Sequence, residues 1–490
     1  MKKIGASLMF AAALSAAAVA QTNAPAARTL SLPDCLAEAL KHNFDVQVER
    51  YEPQKSLLSL NAAYAGYDPV FSLSGKHTHS ESGGLFLTNG VPSSDDNTFN
   101  SGLNGALPWG MTYGLNGGVS DSYGAAAGYS SGQVGVSGRQ PLLKDFWIDG
   151  TRLSIRAAKN QVKLSEQGLR QQLITTVTAV ENAYYELIFA RDNVKVQQQA
   201  LNLAQTQLDD DRKRVEIKVL AERGGTIEQD EAQVAQSRAS LIAAQFTLAA
   251  DENALKNLIT DNYLQWHDVV LEPATTLEAV RQLFDVQDSW SKGLLQRPDL
   301  VQAKLNLEQQ GIQLKYDRNQ IFPQLDLTGS YGYNGAGLEF HDAFGQYGAA
   351  NRPFYSYGAE LSVPLSNARA RNSFKSDKAT EQQYLLRLKQ LEQTVMVQID
   401  NAVKQAQSAW ESVDATQKAR TYAEAALSAE QGKYAVGKST TFTVLQLQNN
   451  LTSARSQEIR ALANYNEALA NLALQEGSTL QRHKLDVQVK

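Results

Sequence analysis

The chain has 490 residues, a formal net charge of −5, 43% hydrophobic residues and a single cysteine. The charge is spread along the chain with no basic block, which gives nucleic acid no footing, and one cysteine excludes an internal disulfide. Beyond the first twenty residues, no run reaches the ~20 apolar residues that a membrane-spanning helix takes.

Taken in chain order, Lys2 and Lys3 precede an apolar stretch over residues 4–19, and Ala18-Val19-Ala20 supplies the small residues of a cleavage site. Residues 1–20 therefore read as a secretory signal peptide, with the mature chain starting near Gln21. Cys35 follows Pro33 and Asp34, not the small residues of a lipid-anchor site, and reads as a plain helix residue. A helix is expected over residues 33–66. "YDPVFSLSG" (residues 67–75) then opens a strand region spanning about 69–141. Inside it, a turn at Pro108-Trp109-Gly110 is flanked by two alternating runs. Residues 95–121 are thus either an extra hairpin or a surface insertion. From about 151 to 219 the chain has no proline and one glycine, Gly168, and Leu173, Val180, Leu187, Val194, Leu201, Leu208 and Val215 fall every seventh residue. That period predicts a long coiled-coil helix. A tip at about 216–228, a helix to about 260 and a connection over 261–290 follow.

The order then repeats. A helix at about 291–320 leads to "IFPQLDLTG" (residues 321–329), strands at about 323–366, a long helix at about 368–436, a tip at about 434–446, a helix to 475 and a tail over 476–490. A shift of 254 lays Pro69, Phe71, Leu73 and Gly75 on Pro323, Leu325, Leu327 and Gly329. Residues 21–260 and 291–475 read as two tandem structural repeats. In the second, Leu325, Leu327, Tyr331 and Tyr333 share one strand face with Tyr355, Tyr357, Ala359, Leu361, Val363 and Leu365 of the partner strand. A half-covered soluble sheet gives the same alternation. The strand lengths and the clustered tyrosines favour a membrane barrel. The two short helices of each half together match the long one in length, so they are expected to stack end to end beside it. Four or six strands are too few to close in lipid, where at least about eight are needed and open edges are not tolerated. Identical copies are expected to complete the barrel.

With "LPDCLAEALKHN", "GRQPLLKD", "GAELSVPLSN" and "KYAVGKSTTFTVLQLQNNL", these stretches resemble the TolC-like outer membrane efflux protein family over nearly the whole mature chain. The resemblance implies an α+β membrane protein: a trimeric outer-membrane β-barrel, twelve-stranded in the family, continued by a long periplasmic α-helical coiled-coil barrel. It implies a non-enzymatic exit duct of a tripartite efflux pump or type I secretion system, without cofactors. The implied partners are two further copies, a periplasmic adaptor and an inner-membrane transporter. The alternative is a periplasmic coiled-coil scaffold without channel activity.

In the family the periplasmic tips close the channel and dock the adaptor. The resemblance places these roles on Tyr434, Val436, Gly437, Thr443 and Gln446 in the second tip and on Thr226, Glu228 and Gln229 in the first. Family members often carry aspartate at the position of Thr443, and some at that of Gln446. The neutral residues here imply a gate held by polar contacts and Tyr434, with less cation block. Alternatively, Thr443 and Gln446 only cap and solvate a helix start. The first tip departs further, with Lys218 where the glycine would stand and Gly224-Gly225 later. Glu228, Asp230 and Glu231 either charge the entrance or are ordinary acids of a first helical turn. Asp209-Asp210-Asp211 with Arg212-Lys213-Arg214 reads as a solvated helix face. Gly128-Tyr129-Ser130-Ser131-Gly132 fits a hydrolase elbow pattern but lies in a Gly/Ser loop, and His77 with His79 supply only two ligands.

Overall fold

The computed structural model describes residues 27–81, 93–124, 128–216, 226–349 and 351–485. The signal-peptide stretch, Lys218 and Gly224-Gly225 lie outside the described residues. Among the described residues, six strands form one antiparallel sheet in the order β2 (Val70–Glu81), β3 (Ser93–Ala106), β4 (Thr112–Gly124), β5 (Tyr129–Pro141), β7 (Gln324–Gly337) and β8 (Pro353–Ser362). A separate parallel pair joins β1 (Ala27–Leu30) to β6 (Val270–Pro273).

The register shows why these residues make a sheet. Phe71, Leu103, Leu115, Val136, Tyr331 and Tyr355 are successive ladder partners across all six strands. Directly opposed residues share a face, so this row is one apolar belt. The next row on the other face runs Ser72, Gly102, Asn116, Gly135, Gly332 and Phe354. One face is therefore largely apolar and exposed, and the other carries mainly Ser, Asn, Thr and Gly. Residues 95–121 are a hairpin inside this sheet, not a surface insertion. The sheet thus has six strands among the described residues, whereas twelve in a trimer implies four per chain. Arg139 on the polar face donates from Nε to Asp326 at 2.8 Å, where the carboxylate is buried.

The helices flank this sheet. The first half supplies α1 (Leu32–His42), α2 (Phe44–Glu49), α3 (Tyr51–Tyr64), α4 (Gly150–Glu216) and α5 (Thr226–Ile259). A short α6 (Tyr263–Trp266) follows. The second half supplies α7 (Val286–Gln296), α8 (Pro298–Gln320), α9 (Phe340–Ala349), α10 (Ala368–Ala435), α11 (Thr441–Glu476) and α12 (Thr479–Arg482). The helices expected over 33–66 and 291–320 are broken. Asn43 is extended (ψ 126°), and its side chain accepts from the amides of Asp45 and Val46, starting a new helix. Arg297 is extended in the same way (ψ 124°) before Pro298, which forces the break.

The α4 heptad stripe is a core. Leu173, Val180 and Leu187 are buried with Cys35, Leu36 and Ala39 of α1 and Leu255 and Ile259 of α5. Burying each such leucine contributes about 1.5–3 kcal/mol. Cys35 is an interior residue of α1, and burial pushes its thiol up to about 12. Strands β1 and β6 clamp this core: the Tyr184 hydroxyl donates to the Leu30 carbonyl at 3.2 Å, and Arg191 donates to that of Leu271 at 2.7 Å. The connection at 261–290 therefore carries a strand that residue pattern did not announce. No helix among the described residues is long and apolar enough to cross a membrane.

Candidate functional site at the helix tips

At the end away from the strands, α10 turns into α11. Gly437 takes φ +73°, a left-handed conformation that glycine enters without the Cβ penalty. The Lys438 amide donates to the Lys433 carbonyl at 2.9 Å and Gly437 to Tyr434 at 3.0 Å, closing the α10 terminus. Thr440 is the N-cap of α11: its hydroxyl accepts from the Thr443 amide at 3.4 Å and lies 3.0 Å from the Thr443 hydroxyl. Val436 and Gln446 are exposed. The turn is thus built by Gly437 and Thr440, with Thr443 in the capping contact.

Tyr434 points inward. Its hydroxyl donates to Asp211 Oδ1 at 2.7 Å and is 2.8 Å from Thr441 Oγ1, while the Arg214 guanidinium stacks 4.6 Å from the ring centroid. Burial pushes the Tyr434 phenol up to about 12. Asp211 also accepts from Thr441 at 3.1 Å and from Gln207 at 2.9 Å. Asp211 is fully buried, so the expected solvated face holds for Asp209, Asp210, Arg212 and Lys213, which are exposed, but not for Asp211. The reason is the heptad: Ala204, Leu208 and Asp211 fall at i, i+4 and i+7 on one buried stripe.

The first tip supplies a second acid. Asp230 of α5 is fully buried and faces Asp211, and neither of its oxygens receives a donor. Burial and then the Asp211 charge push its carboxyl up to about 7. A proton held on Asp230 supplies the missing donor, with Asp211 as its acceptor. Glu231 instead pairs with Arg212 at 2.7 Å on the surface, and Glu228 and Gln229 are exposed. Thr226 is the first residue of α5. The two hairpins are tied by a reciprocal amide pair, Gln233 with Asn449 at 2.8 and 3.0 Å. The structure therefore brings Tyr434 to a cross-helix polar junction, while Val436, Gln446, Glu228 and Gln229 lie on the surface. Sequence reasoning missed Asp211 and misassigned Asp230. The signal was present: Asp230, Ser237 and Ala244 are seven apart and all buried.

Comparison with known proteins gives the context. The profile of the outer membrane efflux protein family matches residues 35–260 and 290–478. The chain is 26% identical over 336 residues to the pyoverdine export outer membrane protein OpmQ of Pseudomonas aeruginosa, covering 64% of each chain. It is 23% identical to the outer membrane efflux protein BepC of Brucella suis, over 68% of this chain and 69% of BepC. Among solved structures it is similar to the CmeC outer membrane channel of Campylobacter jejuni, with TM-score 0.68 and 15% identity over 91% of this chain and 86% of that one. VceC of Vibrio cholerae gives TM-score 0.68 and 18% identity, over 91% of this chain and 96% of VceC. The sheet with one apolar face, the paired long helices and the family profile converge: the chain belongs to the outer membrane efflux protein family.

Proposed function

We propose that three copies of this chain close into one duct across the outer membrane and periplasm, through which a partner transporter exports its cargo. One observation carries this reading. The sheet has an exposed apolar face and two open edges, β2 and β8, whose residues are almost all exposed. Open edges in hydrocarbon leave backbone groups unsatisfied at several kcal/mol each. The β2 strand runs antiparallel to a neighbouring copy's β8 if the alternation continues, so copies of the chain supply each other's missing partner.

The tips form the gate and the adaptor-docking rim. Tyr434 and Asp211 hold the closed arrangement, Gly437 sets the turn, exposed Val436, Gln446, Glu228 and Gln229 present the rim, and half-buried Thr443 and the α5 start at Thr226 frame it. Two tandem repeats underlie the design: the helix breaks at Asn43 and Arg297 keep the same 254-residue spacing as Pro69 and Pro323. The adaptor and the energy source are other proteins, as in a tripartite pump or type I system.

The test is fractionation and mass. The expressed protein is expected in the outer-membrane fraction, released by detergent as a trimer, with cysteines placed in β2 and β8 cross-linking between copies. A monomer released by buffer alone would establish the scaffold alternative.

A further inference from the structure

We infer that the added β3–β4 hairpin is part of the barrel wall and widens the outlet beyond what twelve strands enclose, so that this duct passes bulkier hydrophilic cargo at the membrane than a twelve-stranded wall would. The inference rests on the three-copy reading above. Three features place the hairpin in the wall. Its strands have 14 and 13 residues against 12 and 13 in β2 and β5, so it spans the full height. Leu103 and Leu115 continue the apolar belt without a gap, and Asn104, Asn116 and Thr112 continue the polar face. Its lower turn is seated on the helix-to-strand junction. Gly110, at φ +91°, lies against Arg152, whose guanidinium donates to the carbonyls of Asp145 (2.7 Å) and Phe146 (2.8 Å). Exposed Trp109 and Trp147 sit beside this junction, where an aromatic belt meets the lipid boundary.

The geometry then sets the width. Strands β2, β5, β7 and β8 each connect to a helix, α3, α4, α8 and α10, whereas β3 and β4 connect only to each other at this end. Six strands in each of three copies make eighteen. Strands about 4.8 Å apart and tilted about 40° take up roughly 6 Å each of circumference, so eighteen need about 110 Å and twelve only about 75 Å. On the helical side, α4 packs with α3 and then α5 along its length, and α10 with α8 and then α11. Away from α1, α2 and α7, which also pack on the long helices, that is four helices per copy. Twelve helices about 9–10 Å apart need roughly 110–120 Å. By this spacing eighteen strands enclose a perimeter about one and a half times that of twelve, comparable with the helical ring. The polar face of the hairpin, with Asn100, Asn104, Asn116, Ser120 and Thr112, is mostly uncharged, so it favours hydrated cargo of either sign.

Two experiments on the full chain test this. In the first, Ser137→Cys on the polar face is labelled from outside with maleimide polymers of graded size; native Cys35 is buried and stays silent. Excision of residues 93–128 joins β2 to β5, which already run in opposite directions. The largest polymer that labels is expected to fall to about two-thirds of its parent diameter. An unchanged cutoff in a trimeric excision variant overturns the inference. In the second, a nitroxide on Leu115→Cys is expected to collide with dissolved dioxygen more than with a nickel chelate, as one on Val136→Cys does. The reverse preference places the hairpin outside the lipid wall and overturns the inference even where the excision variant fails to assemble. A parent chain that is itself monomeric would sink the three-copy reading instead.

Discussion

At the scale of single residues, the tip is governed by one buried carboxylate and the donors around it. Removing a partner of a buried charged acceptor costs about 1–3 kcal/mol. Tyr434→Phe takes away the 2.7 Å bond and leaves Asp211 short of a donor. The open fraction in planar bilayers is therefore expected to rise roughly 5- to 150-fold. Thr443→Gly with Gln446→Gly disturbs only the cap and the exposed surface and is expected to raise it less. Equal effects would move the latch to the rim. Asp230 makes this polar junction, the latch of the proposed gate, sensitive to pH. Its carboxyl is held near 7 against an ordinary value of 3.8, so the folded tip keeps a proton that the unfolded chain has already lost in that window. The tip's stability is then greatest at low pH and falls as pH rises from about 3.8 through about 7. Asp211 of α4 faces Asp230 and in turn accepts from Gln207 of α4, Tyr434 of α10 and Thr441 of α11, with Arg214 over the Tyr434 ring. Hydrogen exchange of the tip helices is expected to speed up between pH 5.5 and 8 beyond the chemical rate. Asp230→Asn, which keeps a donor without charge, is expected to flatten that response; an unaltered profile would remove Asp230 from it.

At the scale of elements, the sheet and the long helices were legible for different reasons. Alternation has a period of two, so it gave the faces of β7 and β8 directly: Leu325 with Leu361 and Tyr331 with Tyr355 are ladder partners on one face. The α4 stripe has a period of seven, and five of its seven positions are buried, Val194 and Val215 being half-buried. The broken helices were only half legible: Pro298 announces the break at Arg297 locally, whereas Asn43 suits a helix surface as well as a cap and is decided by the packing of α1 against the long helix. The belt carries its own prediction. Leu115→Lys places a charge on the apolar face, the lipid side of the proposed barrel, and is expected to cost about 2–4 kcal/mol, falling off with distance from the bilayer midplane. Asn116→Lys, one residue on and on the polar face, is expected to be nearly neutral. Urea titration of folded, detergent-embedded protein measures both, and equal losses would mean that the two faces are misassigned.

At the scale of the whole molecule, the chain is an incomplete object: a sheet with two open edges, set on helices whose narrow apolar seams leave much surface polar. The sequence by itself determined the heptad of α4, the apolar belt of the β7–β8 hairpin and the family, since side-chain spacing and turn residues are local properties. Only the tertiary structure decided that residues 95–121 join the six-stranded sheet, because an interior strand and a surface hairpin alternate alike until their neighbours are known. It alone brought Asp211, Asp230 and Tyr434 together. A carboxylate on a helical stripe is soluble or buried according to what packs over it, and that depends on helices far apart in the chain.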